Sequence, residues 1–72
     1  MPAVRVSWDH DPVSLHANDE ALLNRLFAIL KERHDIKRRS IPMPDRENGG
    51  WIAFLYQPVH PRDLATAIND LE

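Results

Sequence analysis

Alternation of apolar and polar residues near the start of the chain predicts a β-hairpin. Residues 3–8 alternate with a period of two, which is typical of a strand with one buried face. The next four residues, 9–12, are dense in turn formers, and the alternation resumes over 13–17. We therefore expect a first strand over 3–8 and a second arm over 13–17.

Two amphipathic segments predict α-helices. Apolar residues recur with three-and-four spacing between positions 19 and 34. Asn18 precedes this segment as the candidate cap for its free backbone amides. A second stripe of this kind covers 61–71. Pro61 suits the first helical position, because its missing N–H would have no helical partner.

The segment between the helices predicts two more strands joined by a turn. Residues 36–43 are typical of an extended segment, and Pro42 and Pro44 each remove a donor that an interior strand needs. We therefore place this strand at a sheet edge. The turn at 45–50 contains the only two glycines of the chain. It precedes 51–56, the strongest strand candidate.

The order of these elements, β(β)αββα, predicts an α+β fold. We expect one domain over residues 1–72, with a three- or four-stranded, mainly antiparallel sheet and two helices packed on one face. The 72 residues leave room for one hydrophobic core. A core of this size typically supplies only about 3–5 kcal/mol, and the chain has no cysteine for a disulfide. Burial against a second chain is therefore favoured as further support.

Composition and charge narrow the class of protein. The net charge of −2 argues against a protein that coats nucleic acid by bulk electrostatics. No basic segment followed by an apolar run begins the chain, and its longest apolar run is 51–56. We expect neither a signal peptide nor a membrane span. The lack of cysteine suits the reducing cytoplasm, where we expect the protein.

No residue pattern predicts a catalytic, cofactor or metal site. The serines lie outside a G-x-S-x-G context, and the glycines lie between strands rather than before a helix. A less favoured metal-binding or enzymatic hypothesis would use Asp9, His10 and Asp11. Neighbours in an extended segment point to opposite sides, however, and no ligand spacing completes the set. A polar turn is the simpler interpretation.

A basic segment offers a second functional class. Five of the nine Lys and Arg residues fall within 31–39, and with two acidic residues there the segment carries 5 − 2 = +3. These five are Lys31, Arg33, Lys37, Arg38 and Arg39. They could contact nucleic-acid phosphates or an acidic protein, or form a solvated helix end and a charged edge strand. Strand alternation directs Arg38 and Arg39 to opposite faces.

The strand 51–56 is apolar on both faces, which a half-buried strand does not require. We predict that Trp51 and Leu55 lie on a partner-contact face, while Ile52 and Phe54 pack under the helices. The opposite orientation is an open alternative. Two further alternatives are open: the helices could divide between the two faces of the sheet, or one large apolar residue could remain exposed.

Together these patterns predict a noncatalytic protein–protein interaction module. It would be a self-associating adaptor domain, forming a homo-oligomer, or a small inhibitor or regulator that acts by binding. The predicted partner-binding residues are Trp51, Leu55, Lys37, Arg38 and Arg39. The alternative is a nucleic-acid-binding regulator that uses the segment 31–39.

Overall fold

The computed structural model describes residues 4–9 and 11–71 as one sheet and two helices. The strands are β1 (Val4–Ser7), β2 (Val13–Ala17), β3 (Met43–Pro44) and β4 (Trp51–Leu55). The helices are α1 (Glu20–His34) and α2 (Pro61–Asn69). All strand pairs are antiparallel, in the order β1-β2-β4-β3. The predicted α+β fold is confirmed, with four strands.

Two hairpins lie side by side in the sheet. β1 pairs with β2, β3 pairs with β4, and α1 connects the hairpins so that β2 lies beside β4. The central register runs from Val13 opposite Leu55 to Ala17 opposite Trp51. β1 and β3 are therefore the two edges of the sheet.

Both helices pack on the same face of the sheet, as the element order predicts. Leu15 of β2 and Leu55 of β4 belong to one buried cluster with Leu26 of α1 and Leu64 of α2. A division of the helices between the two faces does not occur. All the helical apolar surface is therefore used on one side.

The termini of α1 are defined by two aspartates. Asp19 is the N-cap, with extended backbone and a carboxylate that accepts the N–H of Ala21 at 2.9 Å. Prediction of Asn18 as the cap is wrong by one residue, because Asp19 presents its carboxylate to the first turn. At the other end Asp35 adopts the left-handed conformation at φ 56°, and its N–H bonds to the carbonyl of Leu30.

α2 begins with a histidine cap. The Nδ1 atom of His60 accepts the N–H of Arg62 at 3.0 Å, and Pro61 takes the first helical position as predicted. The helix ends at Asn69, two residues before the predicted end at 71.

The predicted edge strand over 36–43 is largely irregular. Only Met43–Pro44 forms a ladder with β4, and Arg39 makes an isolated bridge earlier in the segment. Between them the hydroxyl of Ser40 accepts the N–H of Phe54 at 2.8 Å, in place of a backbone carbonyl. The edge position is confirmed, but the strand is shorter, because at Ser40 a side-chain hydroxyl and not the main chain accepts the N–H of Phe54.

The contact between Ser40 and Phe54 also reveals how hydrogen bonds alternate across the sheet. The N–H of Phe54 bonds to Ser40 Oγ, and its carbonyl accepts the N–H of Ser40 at 2.8 Å. The backbone of Phe54 thus faces β3. Successive residues of an antiparallel strand face alternate sides, so Leu55 faces β2, where its partner is Val13.

The same alternation continues to β1. Since Val13 faces β4, Ser14 faces β1, where Ser7 is its partner. Ser7 in turn faces β2. Val6 and Val4 therefore direct their backbone N–H and C=O groups to the outer edge of the sheet.

The turn between β3 and β4 lies close to the end of β2, and its two glycines allow this close approach to be tested. Gly50 has φ +71°, and a Cβ there would lie 2.6 Å from the carbonyl oxygen of Ala17. Gly49 has φ +76° but open space around a Cβ. We expect Gly49→Ala to lower the free energy of unfolding by about 1–2 kcal/mol through backbone strain alone. Gly50→Ala should lower it by at least about 1 kcal/mol more. Equal losses in urea unfolding would contradict a close approach of the turn to β2.

Candidate functional site

The structure reverses the predicted orientation of β4. Leu55 is 2% exposed and belongs to the core, and Trp51 is half-buried against that core. Ile52 and Phe54 point to the face without helices. The prediction that Trp51 and Leu55 lie on a partner-contact face is therefore wrong.

Pairing with β2 is the reason for this orientation. Directly opposed residues of an antiparallel pair share a face, and apolar Val13 and Ala17 stand opposite Leu55 and Trp51. The polar side of β2, with Ser14, stands opposite Phe54 on the other face. β2 has one apolar face, and β4 has to present the matching residues to the helices.

We call the sheet surface opposite the helices the open face. Strand alternation assigns to it Arg5, Ser7, Ser14, His16, Met43, Ile52 and Phe54. Its β1–β2 half is polar, and its β3–β4 half is apolar. The apolar patch, defined as Met43, Ile52 and Phe54, is half-buried.

A hydrogen-bond network crosses the open face from β2 to the turn after β3. Ser14 Oγ lies 3.0 Å from His16 Nε2, and His16 Nδ1 lies 3.4 Å from Asp45 Oδ2. These partners assign the hydroxyl as donor to Nε2 and the Nδ1–H as donor to the carboxylate. The network ties β2 to the turn that precedes β4.

The order of this network, serine to histidine to aspartate, is that of hydrolase triads. Such sites also need donors aimed at a developing oxyanion. The backbone N–H of Ser14 faces β1 in the ladder, so it is not free for that task, and Ser14 is only 2% exposed. We therefore interpret the network as a polar brace between β2 and the turn.

Asp45 holds the turn as well as the network. Its Oδ1 accepts the N–H groups of Glu47 at 3.1 Å and Asn48 at 3.2 Å. The bond from the Asn48 N–H is the main cause that holds the pKa of Asp45 below its ordinary value of 3.8. Partial desolvation acts in the opposite direction, and the bonds from Glu47 and His16 add to the lowering.

A shallow cavity of about 390 Å³ lies between the polar network and the apolar patch. Ser14, His16 and Phe54 line it, and Asp11 and Glu47 add carboxylates. Both carboxylate residues are exposed. The open face therefore combines an apolar surface with an acidic border.

The basic segment is partly neutralised by acidic partners. Arg33 Nη1 lies 2.7 Å from Asp70 Oδ2, which joins the end of α1 to the end of α2. Lys37 Nζ lies 3.2 Å from Asp35 Oδ1. Both pairs are largely exposed, so each contributes little to stability.

Arg39 lies on the helix side of the sheet. Its guanidinium carbon is 4.4 Å from the ring centroid of Phe27, within the range of a cation–π contact. Lys31, Lys37 and Arg39 line a cavity of about 460 Å³ beside this ring. Arg38 is exposed beside it, outside any strand. The predicted binding residues Lys37 and Arg39 therefore lie away from the apolar patch.

The metal hypothesis based on Asp9, His10 and Asp11 falls partly on His10, outside the described residues. Across residues 4–9 and 11–71, no group of three or more His, Asp or Glu side chains could hold a metal ion. In the same part of the chain, no helix is long and apolar enough to cross a membrane.

No family model, curated protein or solved structure matches the chain. Its function therefore has to be argued from its own surfaces.

Sequence reasoning did not identify the Ser14–His16–Asp45 network. Ser14 and His16 are two residues apart on a predicted strand, and this spacing alone places both side chains on one face. Asp45 carries no such signal, because its approach to His16 depends on the order of the strands.

The lowered pKa of Asp45 predicts a pH-dependent contribution to stability. A carboxylate whose pKa is lower in the folded state stabilises the fold above its unfolded pKa, and this contribution is lost as the pH falls through the folded value. We expect Asp45→Asn to be less stable than the unmodified chain at neutral pH, with the difference shrinking below about pH 3.8. Thermal melts followed by circular dichroism across this range measure it.

Glu47→Gln is the matched control, because it removes the same charge from the same turn. The Glu47 side chain forms no hydrogen bond with the described residues. A pH-independent difference for Asp45→Asn, or an equal pH-dependent difference for Glu47→Gln, would contradict the assignment.

Proposed function

We propose that the protein is a noncatalytic protein-interaction module whose contact surface is the apolar patch of the open face. The observation that carries this proposal is the position of Ile52 and Phe54. They lie on the open face, while both helices pack on the other side of the sheet. Aromatic and aliphatic side chains in such a position are typical anchors for a protein partner.

The border of the patch favours a particular kind of partner. Asp11, Asp45 and Glu47 add carboxylates to the cavity beside Phe54. Complementary potentials across an interface favour specific association. We therefore propose a partner that inserts an apolar side chain flanked by Lys or Arg. The chain described here has no cysteine, which suits the reducing cytoplasm, and we propose that the interaction occurs there.

Adjacent residues of β4 give a matched pair of variants. Leu55→Ala removes a core side chain and should lower the free energy of unfolding by about 2–5 kcal/mol. Phe54→Ser changes the open face, so we expect a smaller stability loss together with loss of partner binding. Urea unfolding measures the first effect, and affinity for an identified partner measures the second.

The partner can be identified by site-specific photo-crosslinking in the native host. A benzoylphenylalanine at position 54 reports on the open face, and one at Ala65, exposed on α2, serves as the control. We expect a protein that crosslinks at 54 and not at 65. Phe54→Ser should weaken the affinity of the purified pair by about tenfold or more. An unchanged affinity, or equal crosslinking at both positions, would overturn the proposal.

The cavity lined by Lys31, Lys37 and Arg39 supports a second candidate function, binding of nucleic-acid phosphates. Lys37 is paired with Asp35, and Arg39 lies over the ring of Phe27. Fewer cations are therefore free to bind phosphates than the sequence contains. We expect weak binding of a single-stranded RNA oligonucleotide at low salt, lost in the Lys31→Ala and Lys37→Ala double variant. Fluorescence anisotropy measures it, with Arg62→Ala as the control. No binding at low salt would eliminate this function.

A further inference from the structure

The two edges of the sheet differ in their capacity to pair with another strand. At the β3 edge, Pro42 and Pro44 have no backbone N–H to donate. At the β1 edge, Val4 and Val6 direct both N–H and C=O outward, and no segment within the described residues pairs with them. Such an edge is a template for a further strand. Of the two edge strands β1 (Val4–Ser7) and β3 (Met43–Pro44), only β1 presents both kinds of backbone group.

We propose that β1 pairs antiparallel with β1 of a second copy of this chain. The two four-stranded sheets would join into one sheet of eight strands. This dimer uses the edge of the sheet, whereas the proposed function uses its open face, so the two proposals can fail separately.

Backbone direction limits the register of this pairing. Within β1 (Val4–Ser7), residues that face the outer edge must pair with one another, so a pairing of β1 with β1 places Val6 opposite either Val6 or Val4 of the second copy. Pairing of Val6 with Val4 would place Arg5 directly opposite Arg5 of the second copy. Like charges directly opposite are destabilising. The register with Val6 opposite Val6 of the second copy is therefore favoured, and it places Arg5 opposite Ser7.

The favoured register also makes two complementary contacts. Val4 stands opposite Trp8 of the second copy, and Trp8 is 44% exposed in the single chain. The diagonal neighbours of Arg5 are then Arg5 of the second copy on one side and, where the pairing extends two residues beyond β1, Asp9 of the second copy on the other, a distance that an arginine side chain can span. Arg5 and Asp9 are both exposed in the single chain. Pairing would thus cover the indole and bring opposite charges together twice, by symmetry.

This geometry has two structural consequences. Opposed residues share a face, so both pairs of helices lie on one side and the two open faces join on the other. Each copy has one β1 and uses it in this pairing, so the assembly closes at two copies. The dimer would present the apolar patch twice on one continuous surface.

Sedimentation of the full chain over a concentration series tests the dimer. We expect reversible dimerisation, and we expect Arg5→Glu and Asp9→Lys each to raise the dissociation constant about tenfold or more by turning attraction into repulsion. The double variant R5E/D9K restores opposite charges and should recover most of the affinity. Arg62→Glu on α2 makes the same change in net charge as Arg5→Glu and should have no effect.

A backbone substitution separates edge pairing from side-chain effects. Chemical synthesis with N-methylvaline at position 6 removes an N–H that faces outward, so we expect a stable monomer. N-methylation at Ser7 removes an N–H that faces β2, so we expect loss of stability in the single chain. Circular dichroism melts confirm folding in each case.

The outcomes distinguish the edge from the open face. A chain that stays monomeric at high micromolar concentration would overturn the dimer, as would failure of R5E/D9K to recover affinity. Dissociation of the dimer by Phe54→Ser but not by Arg5→Glu would also overturn it, because the contact would then be the open face. Loss of partner binding by Phe54→Ser with an intact dimer supports both proposals.

Discussion

The pairing of β2 with β4 is the contact on which the rest of the structure depends. It joins two hairpins that α1 separates in the sequence, and it forms the sheet surface on which both helices pack. Because opposed residues share a face, the alternation of β2 decides which side chains of β4 enter the core. The same pairing brings Asp45 to within 3.4 Å of His16. One register therefore sets the core, the open face and the polar network.

Local sequence signals were sufficient for most of the elements, but not for the length of β3 or for the orientation of β4. The second arm over 13–17 and the helix caps depend on neighbouring residues, so the pattern predicts them to within one or two positions. β4 is apolar on both sides, so its own pattern contains no information about which side is buried. That information lies in β2, where Ser14 and His16 mark the outer face. Orientation could be predicted only after the pairing partner was known.

The candidate site shows the same division between local and long-range information. The spacing of Ser14 and His16 is visible in the sequence, whereas Asp45 joins them only because β4 lies between β2 and β3. Charge counting has a similar limit. Arg33 is neutralised by Asp70, 37 positions away, and no local pattern predicts that pair. The +3 charge of the basic segment therefore overstates the positive charge available to a ligand.

The composition of the open face argues for an interaction that can be reversed. Permanent interfaces resemble a protein core and are strongly apolar, whereas non-obligate ones are about as apolar as ordinary protein surface. Here the β1–β2 half of the open face is polar, and the hydrogen bonds among Ser14, His16 and Asp45 satisfy polar groups there without a partner. Only the β3–β4 half presents a run of apolar side chains. Such a face keeps an apolar patch for binding while its polar half limits how much apolar surface is exposed.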